Sequence, residues 1–195
     1  MLFRSGQDQA GAPSGVAAYL IYGVLGGIPA IDGKLELGTL NDPAVGTVIT
    51  GLPIIPVDAV HSGTGVAALG DVNGDGFADI AIGAPGADTG GDTNNGAVYV
   101  ILGSAAGIGS MNAQLNLATL TSTDANGDGK LDGIVISQPS LPWDDQSTEA
   151  YLGFSVSGAG DANGDGYSDI LLSAPGEFLG GGITYLYYGF PAAAA

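Results

Sequence analysis

The sequence contains no cysteine, a single histidine and only three basic residues, Arg4, Lys34 and Lys130. Without cysteine, no disulfide can stabilise the chain, and thiol usage does not indicate a redox compartment. Against the three basic residues stand 20 acidic ones, which gives a formal net charge of −17. Nucleic-acid binding is excluded because phosphate neutralisation requires a basic surface. Binding to an anionic membrane surface is disfavoured for the same reason.

A long uninterrupted hydrophobic segment is also missing. The uncharged stretch 10–31 is broken by glycines and two prolines, and no basic residue adjoins its apolar part. This pattern predicts a strand and a loop, not a signal peptide or a membrane helix. The single histidine, His61, lies in a loop before a predicted strand, and the sequence contains no nucleophile elbow of the Gly-x-Ser-x-Gly type. We therefore expect the chain not to be an enzyme.

The most informative feature is a nine-residue acidic pattern that occurs three times. The copies are Asp71-Val-Asn73-Gly-Asp75-Gly-Phe77-Ala-Asp79, Asp124-Ala-Asn126-Gly-Asp128-Gly-Lys130-Leu-Asp132 and Asp161-Ala-Asn163-Gly-Asp165-Gly-Tyr167-Ser-Asp169. Side-chain oxygens stand at positions 1, 3, 5 and 9, and position 7 can offer its backbone carbonyl. Glycine at position 6 permits a sharp turn that folds these oxygens around one centre. An all-oxygen, multidentate set of this kind is what Ca²⁺ prefers.

The sequence therefore predicts two or three bound Ca²⁺ ions. Three ions, each adding two positive charges, would move the formal charge from −17 to −11. The loops are not predicted to be EF-hands, because Ile82, Val135 or Leu172 stands where an EF-hand has its bidentate glutamate at position 12. The alternative interpretation is a plain Asn-Gly-Asp-Gly hairpin turn. Such a turn does not require carboxylates at a spacing of four.

Internal repeats predict the architecture. The segments 18–23, 98–103 and 184–189 are one tyrosine-containing element seen three times, at spacings of 80 and 86. The segment 35–40 recurs at 115–120, and the first and third acidic loops are 90 residues apart. The longer spacing coincides with the middle acidic loop, which we interpret as an insertion into one copy of the repeat.

The complete repeat reads as four short strands, at 65–71, 79–83, 97–102 and 133–137, with no convincing helix. Four strands per repeat are typical of a β-propeller blade. We predict an all-β, partial β-propeller of four-stranded antiparallel blades that forms an incomplete ring. The predicted division is the end of a truncated blade plus a connection at 1–61, a complete blade with the inserted loop at 62–138, and an incomplete blade at 139–195.

The segments 63–86 and 152–176 each combine the acidic loop with a following Ala-Pro turn, and they resemble FG-GAP repeats of integrin α subunits. The long period is more similar to bacterial secreted or surface versions. The resemblance implies calcium-binding loops that join the first two strands of a blade, with the bound ion stabilising this connection. It also implies partner binding on the opposite face, for which 86–96 and 138–151 are the candidate loops. The loop 138–151 contains Trp143. This side chain either contacts a sugar or peptide or packs over the edge of the blade.

The predicted function is a calcium-binding propeller segment of an extracellular, secreted or cell-surface adhesion or recognition protein. Expected partners are a protein or glycan ligand and the neighbouring blades of a longer chain. Two alternatives stay open. One is an accessory propeller of a secreted hydrolase whose catalytic domain lies elsewhere, and the other is a structural spacer repeat.

Overall fold

The computed structural model describes residues 2–4, 16–23, 44–52, 65–88, 94–105, 107–108, 114–120, 132–137 and 149–191. These form eleven strands and two single-turn helices. The strands are β1 (Leu2–Arg4), β2 (Val16–Ile21), β3 (Gly46–Leu52), β4 (Val66–Gly70), β5 (Asp79–Ala84), β6 (Ala97–Ile101), β7 (Gln114–Asn116), β8 (Gly133–Ser137), β9 (Val156–Gly160), β10 (Asp169–Ala174) and β11 (Ile183–Tyr187).

The middle sheet has the strand order β4-β5-β6-β8, and every pair in it is antiparallel. Its four strands lie within one residue of the positions predicted for the complete repeat. Short apolar runs rich in β-branched residues produce these strands, and Gly- and Asp-rich turns separate them. The segment 71–79 connects β4 to β5, as predicted for the first acidic loop.

A second sheet contains β9, β10 and β11, with β10 in the centre. The remaining sheet has the order β1-β2-β3-β7, in which β7 runs parallel to β3. Although β7 lies within the middle repeat in sequence, it pairs with the N-terminal sheet and thereby ties the two together. The prediction contained neither this strand nor the two helical turns, which are a 3-10 turn at Leu117–Thr119 and α1 at Glu177–Gly180.

The hydrophobic core is divided between the two faces of the middle sheet. On one face, Ile80 and Ile82 of β5 pack with Ile49 of β3 and Leu115 of β7. On the other face, Ala81 of β5 belongs to the cluster that contains residues of β9 and β10. Every residue of β5 is buried, because successive side chains point to opposite faces and both faces are covered.

The C-terminal sheet is covered on one face only. Ile170 and Leu172 are buried against the middle sheet, whereas Leu171 between them is 39% exposed. Leu171 is the repeat equivalent of Ala81, which is fully buried. Leu186, its neighbour in β11, is 41% exposed. We call Leu171, Leu186 and Tyr188 the open apolar face.

The prediction of an all-β fold with antiparallel sheets is confirmed, and the three sheets of the described residues do not close a ring. The strand predicted within 10–31 is present as β2. The proposed division at 61 and 138 stays a prediction. His61 and Trp143 lie outside the described residues. In the described part of the chain, no helix has the length and apolarity needed to cross a membrane.

Candidate metal centres

The loop 71–79 is organised by its first aspartate. Asp71 Oδ1 accepts hydrogen bonds from the backbone N–H groups of Gly74 (2.7 Å) and Asp75 (3.1 Å), and Asp71 Oδ2 accepts one from Gly76 (2.8 Å). Asn73 Oδ1 also accepts from Asp75 N, and Asp75 Oδ1 accepts from Phe77 N. Short polar side chains bond readily to nearby backbone amides in this way, and the loop winds around its own oxygens.

The last aspartate anchors this loop to the sheet. Asp79 is fully buried, and its two carboxylate oxygens accept hydrogen bonds from Val72 N (2.8 Å) and Gly103 N (2.7 Å). Burial raises the pKa of Asp79 to about 6, and the negative charges of Asp75 and Asp71 add to the increase, although the two backbone hydrogen bonds lower it. The loop therefore concentrates negative charge beside a desolvated carboxylate.

The loop 161–169 repeats this network bond for bond. Asp161 accepts from the amides of Gly164 (2.7 Å), Asp165 (3.0 Å) and Gly166 (2.9 Å). Asp165 Oδ1 accepts from Tyr167 N, and Asn163 Oδ1 accepts from Asp165 N. Asp169 is fully buried and accepts from Ala162 N and Gly189 N. Two loops 90 residues apart thus have the same local structure because they have the same sequence pattern.

The oxygen atoms of these loops suit a calcium ion in kind and number. An ionised carboxylate has about four lone-pair positions. Asp71 uses three of them in the described bonds, and Asp75 and Asp79 use two each. Each aspartate therefore keeps acceptor capacity for a cation. Among the described residues, no three acidic or histidine side chains already converge as a metal cluster, so coordination requires the side chains to turn toward a common centre.

The middle acidic loop falls almost wholly outside the described residues. Asp124, Asn126, Asp128 and Lys130 lie there, and their predicted role stays a prediction. Asp132, the last residue of the pattern, is buried, and its backbone carbonyl accepts a hydrogen bond from Leu102 N (2.9 Å). Its place directly before β8 agrees with the sequence position predicted for the inserted loop.

The glycines that close each loop were missed by sequence reasoning. The amides of Gly103 and Gly189 donate hydrogen bonds to Asp79 and Asp169, and each glycine is the last residue of the recurring tyrosine-containing segment, two residues after the end of β6 or β11. A Cβ atom at Gly103 would lie 2.4 Å from the carbonyl oxygen of Ala78. Only glycine permits that approach, and the recurrence of glycine at this repeat position was the signal that could have revealed it.

Described residues at the ends of the two candidate recognition loops, 86–96 and 138–151, meet at the opposite end of the strands from the acidic loop. β5 begins at Asp79 and ends at Ala84, so the loop that follows it lies about 17–20 Å from the acidic loop at the rise of a strand. Glu149 accepts hydrogen bonds from Asn94 Nδ2 (3.0 Å) and from the hydroxyl of Tyr151. Tyr151 N donates to the carbonyl of Asn94 (3.0 Å). The described ends of loops 86–96 and 138–151 are therefore connected by hydrogen bonds.

Both Asn94 and Tyr151 adopt positive φ, at 55° and 58°. This conformation is uncommon for residues other than glycine and costs energy that the surrounding contacts must offset. The hydrogen bonds around Glu149 supply such contacts. The junction between the middle and C-terminal sheets is consequently a defined structure.

Comparison with known proteins identifies the repeats. The family model of the FG-GAP repeat matches residues 62–101 and 152–187, which contain the first and third acidic loops and the strands around them. FG-GAP repeats form blades of β-propellers, and the middle and C-terminal sheets, which contain the matched residues, are accordingly blades of a partial propeller. The resemblance predicted from the sequence is confirmed, and the chain contains two FG-GAP repeats similar to those of integrin α subunits.

Individual relatives extend over more of the chain. It is 32% identical to integrin alpha-5 of Xenopus laevis over 129 residues, which are 66% of the chain and 9% of that protein. It is 37% identical to phosphatidylinositol-glycan-specific phospholipase D of Mus musculus over 134 residues, 64% of the chain and 14% of that protein. With the Rattus norvegicus phospholipase the identity is 32% over 176 residues, 89% of the chain. The chain spans 9 to 16% of the length of these three relatives.

Proposed function

We propose that this chain is a calcium-binding propeller segment in which the ions act structurally. The observation that supports this proposal most is the identical network in the loops 71–79 and 161–169, where four side chains per loop are oriented by backbone amides and the aspartates keep acceptor capacity. Ca²⁺ bound there would neutralise carboxylates that otherwise repel one another. It would thereby fix the connection between the first two strands of each blade.

A calcium titration by calorimetry, combined with thermal unfolding, tests this proposal. We expect two or three sites and a melting temperature that rises in calcium and falls in a chelator. Asp75→Asn should remove one site, because it deletes a charged ligand. Asp88→Asn is the matched control, since Asp88 is an exposed carboxylate that bonds Asn94 N outside the acidic loops. A folded protein that binds no calcium would reduce the loops to turns and contradict the proposal.

We propose further that the segment belongs to an extracellular or cell-surface protein, serves adhesion or recognition and is itself not catalytic. Similarity to both an integrin α subunit and a phospholipase supports a module that serves more than one kind of protein. The same similarity leaves two alternative functions. The first is an accessory propeller of a secreted hydrolase, and the second is a structural spacer repeat. The full-length gene distinguishes them by the presence of a catalytic domain or of many similar repeats.

The proposed partner surface is the end of the strands opposite the acidic loops. The support for this choice is the fastened junction of loops 86–96 and 138–151, which gives a potential ligand a preformed structure at Asn94, Glu149 and Tyr151. A screen of glycans and extracellular proteins, repeated with Glu149→Ala, tests it. Binding that is unaffected by this variant, while Asp75→Asn abolishes it, would move the partner to the calcium face.

We also propose that a further blade of a longer chain covers the open apolar face. The same face of the middle sheet provides the argument, because there the equivalent position, Ala81, is buried against the following sheet. Blades of a propeller contact their neighbours in this way, and uncovered apolar sheet faces are uncommon in isolated soluble domains.

A further inference from the structure

The two described acidic loops contact each other through the backbone. Ser168 N donates a hydrogen bond to the carbonyl oxygen of Asp71 at 2.9 Å. Ser168 lies between Tyr167 and Asp169, two candidate ligands of its own loop, and Asp71 is the first candidate ligand of the other loop. The backbone of one loop is thus hydrogen-bonded directly to a candidate ligand residue of its neighbour.

A second connection passes through two adjacent amides after β11. Gly189 N donates to Asp169 Oδ1 at 2.9 Å, and Phe190 N donates to the carbonyl of Val72 at 2.9 Å. Val72 N in turn donates to Asp79 Oδ2 at 2.8 Å. The final aspartates of the two loops are therefore connected by three hydrogen bonds and the short backbone segments between them.

A side-chain contact accompanies these bonds. Gly74 faces the ring of Tyr167, and a Cβ atom at Gly74 would lie 2.4 Å from Tyr167 Cε1. The corresponding glycine of the other loop, Gly164, has no atom within 4 Å of such a Cβ. Both glycines have similar positive φ, +73° and +79°. The same repeat position is thus in contact with the neighbouring loop in one case and open in the other.

From these contacts we infer that the loops 71–79 and 161–169 bind calcium with positive cooperativity. The inference rests on the proposed function. Calcium bound in one loop restricts the backbone groups at Asp71, Val72 and Ser168, so the second loop is ordered at lower cost. Repulsion between the two ions opposes this effect, but residues 161–166 are exposed and the Debye length is about 8 Å at 0.15 M salt. We therefore expect the ordering effect to dominate.

Amide resonances of the 195-residue chain can follow each loop separately during a calcium titration. Gly76 N and Gly166 N each donate to the first aspartate of their own loop, so each amide lies next to the candidate site of that loop. Asp165→Asn should raise the calcium midpoint at Gly76 by about fivefold or more. The reciprocal change, Asp75→Asn, should also raise the midpoint at Gly166, because a coupling free energy acts in both directions. Asp165→Ser serves if Asp165→Asn does not fold.

Two glycine variants test the route of the coupling. In Gly74→Ala, the added methyl group would collide with the ring of Tyr167. In this background, the fold-change that Asp165→Asn produces in the calcium midpoint at Gly76 should fall toward one. Gly164→Ala imposes the same backbone strain without that contact and should leave the factor largely intact.

Midpoints that do not respond to the partner variant, or that move to lower calcium, would overturn the cooperativity while leaving calcium binding established. Amides of Gly76 and Gly166 that do not respond to calcium in a folded protein would overturn both proposals.

Discussion

Among single residues, Asp79 combines two properties that oppose each other. Its carboxylate is fully buried, which disfavours the charge, and it is a candidate ligand, which requires the charge. Its pKa is raised to about 6 by burial, with a further contribution from Asp75 and Asp71. Calcium affinity should accordingly fall as the pH drops below about 6, since the ion then competes with a proton.

The same shift predicts how the calcium-free protein responds to pH. The pKa in the folded state, about 6, exceeds the ordinary value of 3.8, so the folded state binds the proton more tightly than the unfolded state. This contribution to stability is fully present below pH 3.8 and is lost as the pH rises through about 6. We expect the melting temperature of metal-free protein to fall between pH 4.5 and 7.5 more steeply than that of Asp79→Asn.

Asp88→Asn is the control for this measurement, because Asp88 is exposed and lies outside the acidic loops. It should retain the profile of the parent chain. Identical profiles for the parent and Asp79→Asn would show that other carboxylates dominate the pH dependence.

Among the elements, β5 and β10 have equivalent sequences and different surroundings. β5 lies between two sheets, whereas β10 is covered on one side. Alternation along the strand places Ile82 and Leu172 toward the preceding sheet in both cases. The difference is confined to the face that holds Ala81 and Leu171.

We expect this difference to appear in how much the free energy of unfolding falls when a side chain of each strand is shortened to alanine. Ile82→Ala should lower the free energy of unfolding by about 2–5 kcal/mol, because it leaves a cavity between packed sheets. Leu171→Ala should cost less than about 1 kcal/mol, because its side chain is already partly in water. Denaturant unfolding of both variants measures this. In a longer natural form with a further blade, the cost of Leu171→Ala should rise toward that of a buried residue.

Similar costs for the two variants in the 195-residue chain would mean that the open apolar face is covered in solution. Sedimentation at several concentrations would then show whether a second copy covers it.

For the whole molecule, the dominant property is the net charge of −17. Nine of the 20 acidic residues lie in the three acidic loops, so repulsion is concentrated where the strands are connected. Bound calcium would relieve part of this repulsion. Monovalent salt relieves it less specifically, by screening.

Salt should therefore stabilise the calcium-free chain more than the calcium-loaded chain. Between 0.05 and 0.5 M KCl, we expect the melting temperature to rise by several degrees in a chelator and by less than half of that in calcium, because screening then has less charge to act on. Thermal unfolding under the four conditions measures this. An equal rise with and without calcium would indicate that salt acts on hydration and not on the loop charges.

The amino-acid sequence alone was sufficient to predict the strands of the middle sheet and the two loops that match the family. These features depend on local rules, namely alternation of apolar residues, turn chemistry and a fixed spacing of oxygen-bearing side chains, and local rules can be read along a chain. The resemblance to FG-GAP repeats followed from the same residues, because the loop, the Ala-Pro turn and the tyrosine-containing strand recur in order.

The contacts between distant parts of the chain, in contrast, became known from the three-dimensional fold. The pairing of β7 with β3, the amides of Gly103 and Gly189 at the final aspartates, and the junction of Asn94 with Glu149 all join residues distant in sequence. The contact between the two acidic loops belongs to this group as well. Such contacts depend on how the sheets stack, and no local pattern specifies the stacking of one repeat on another.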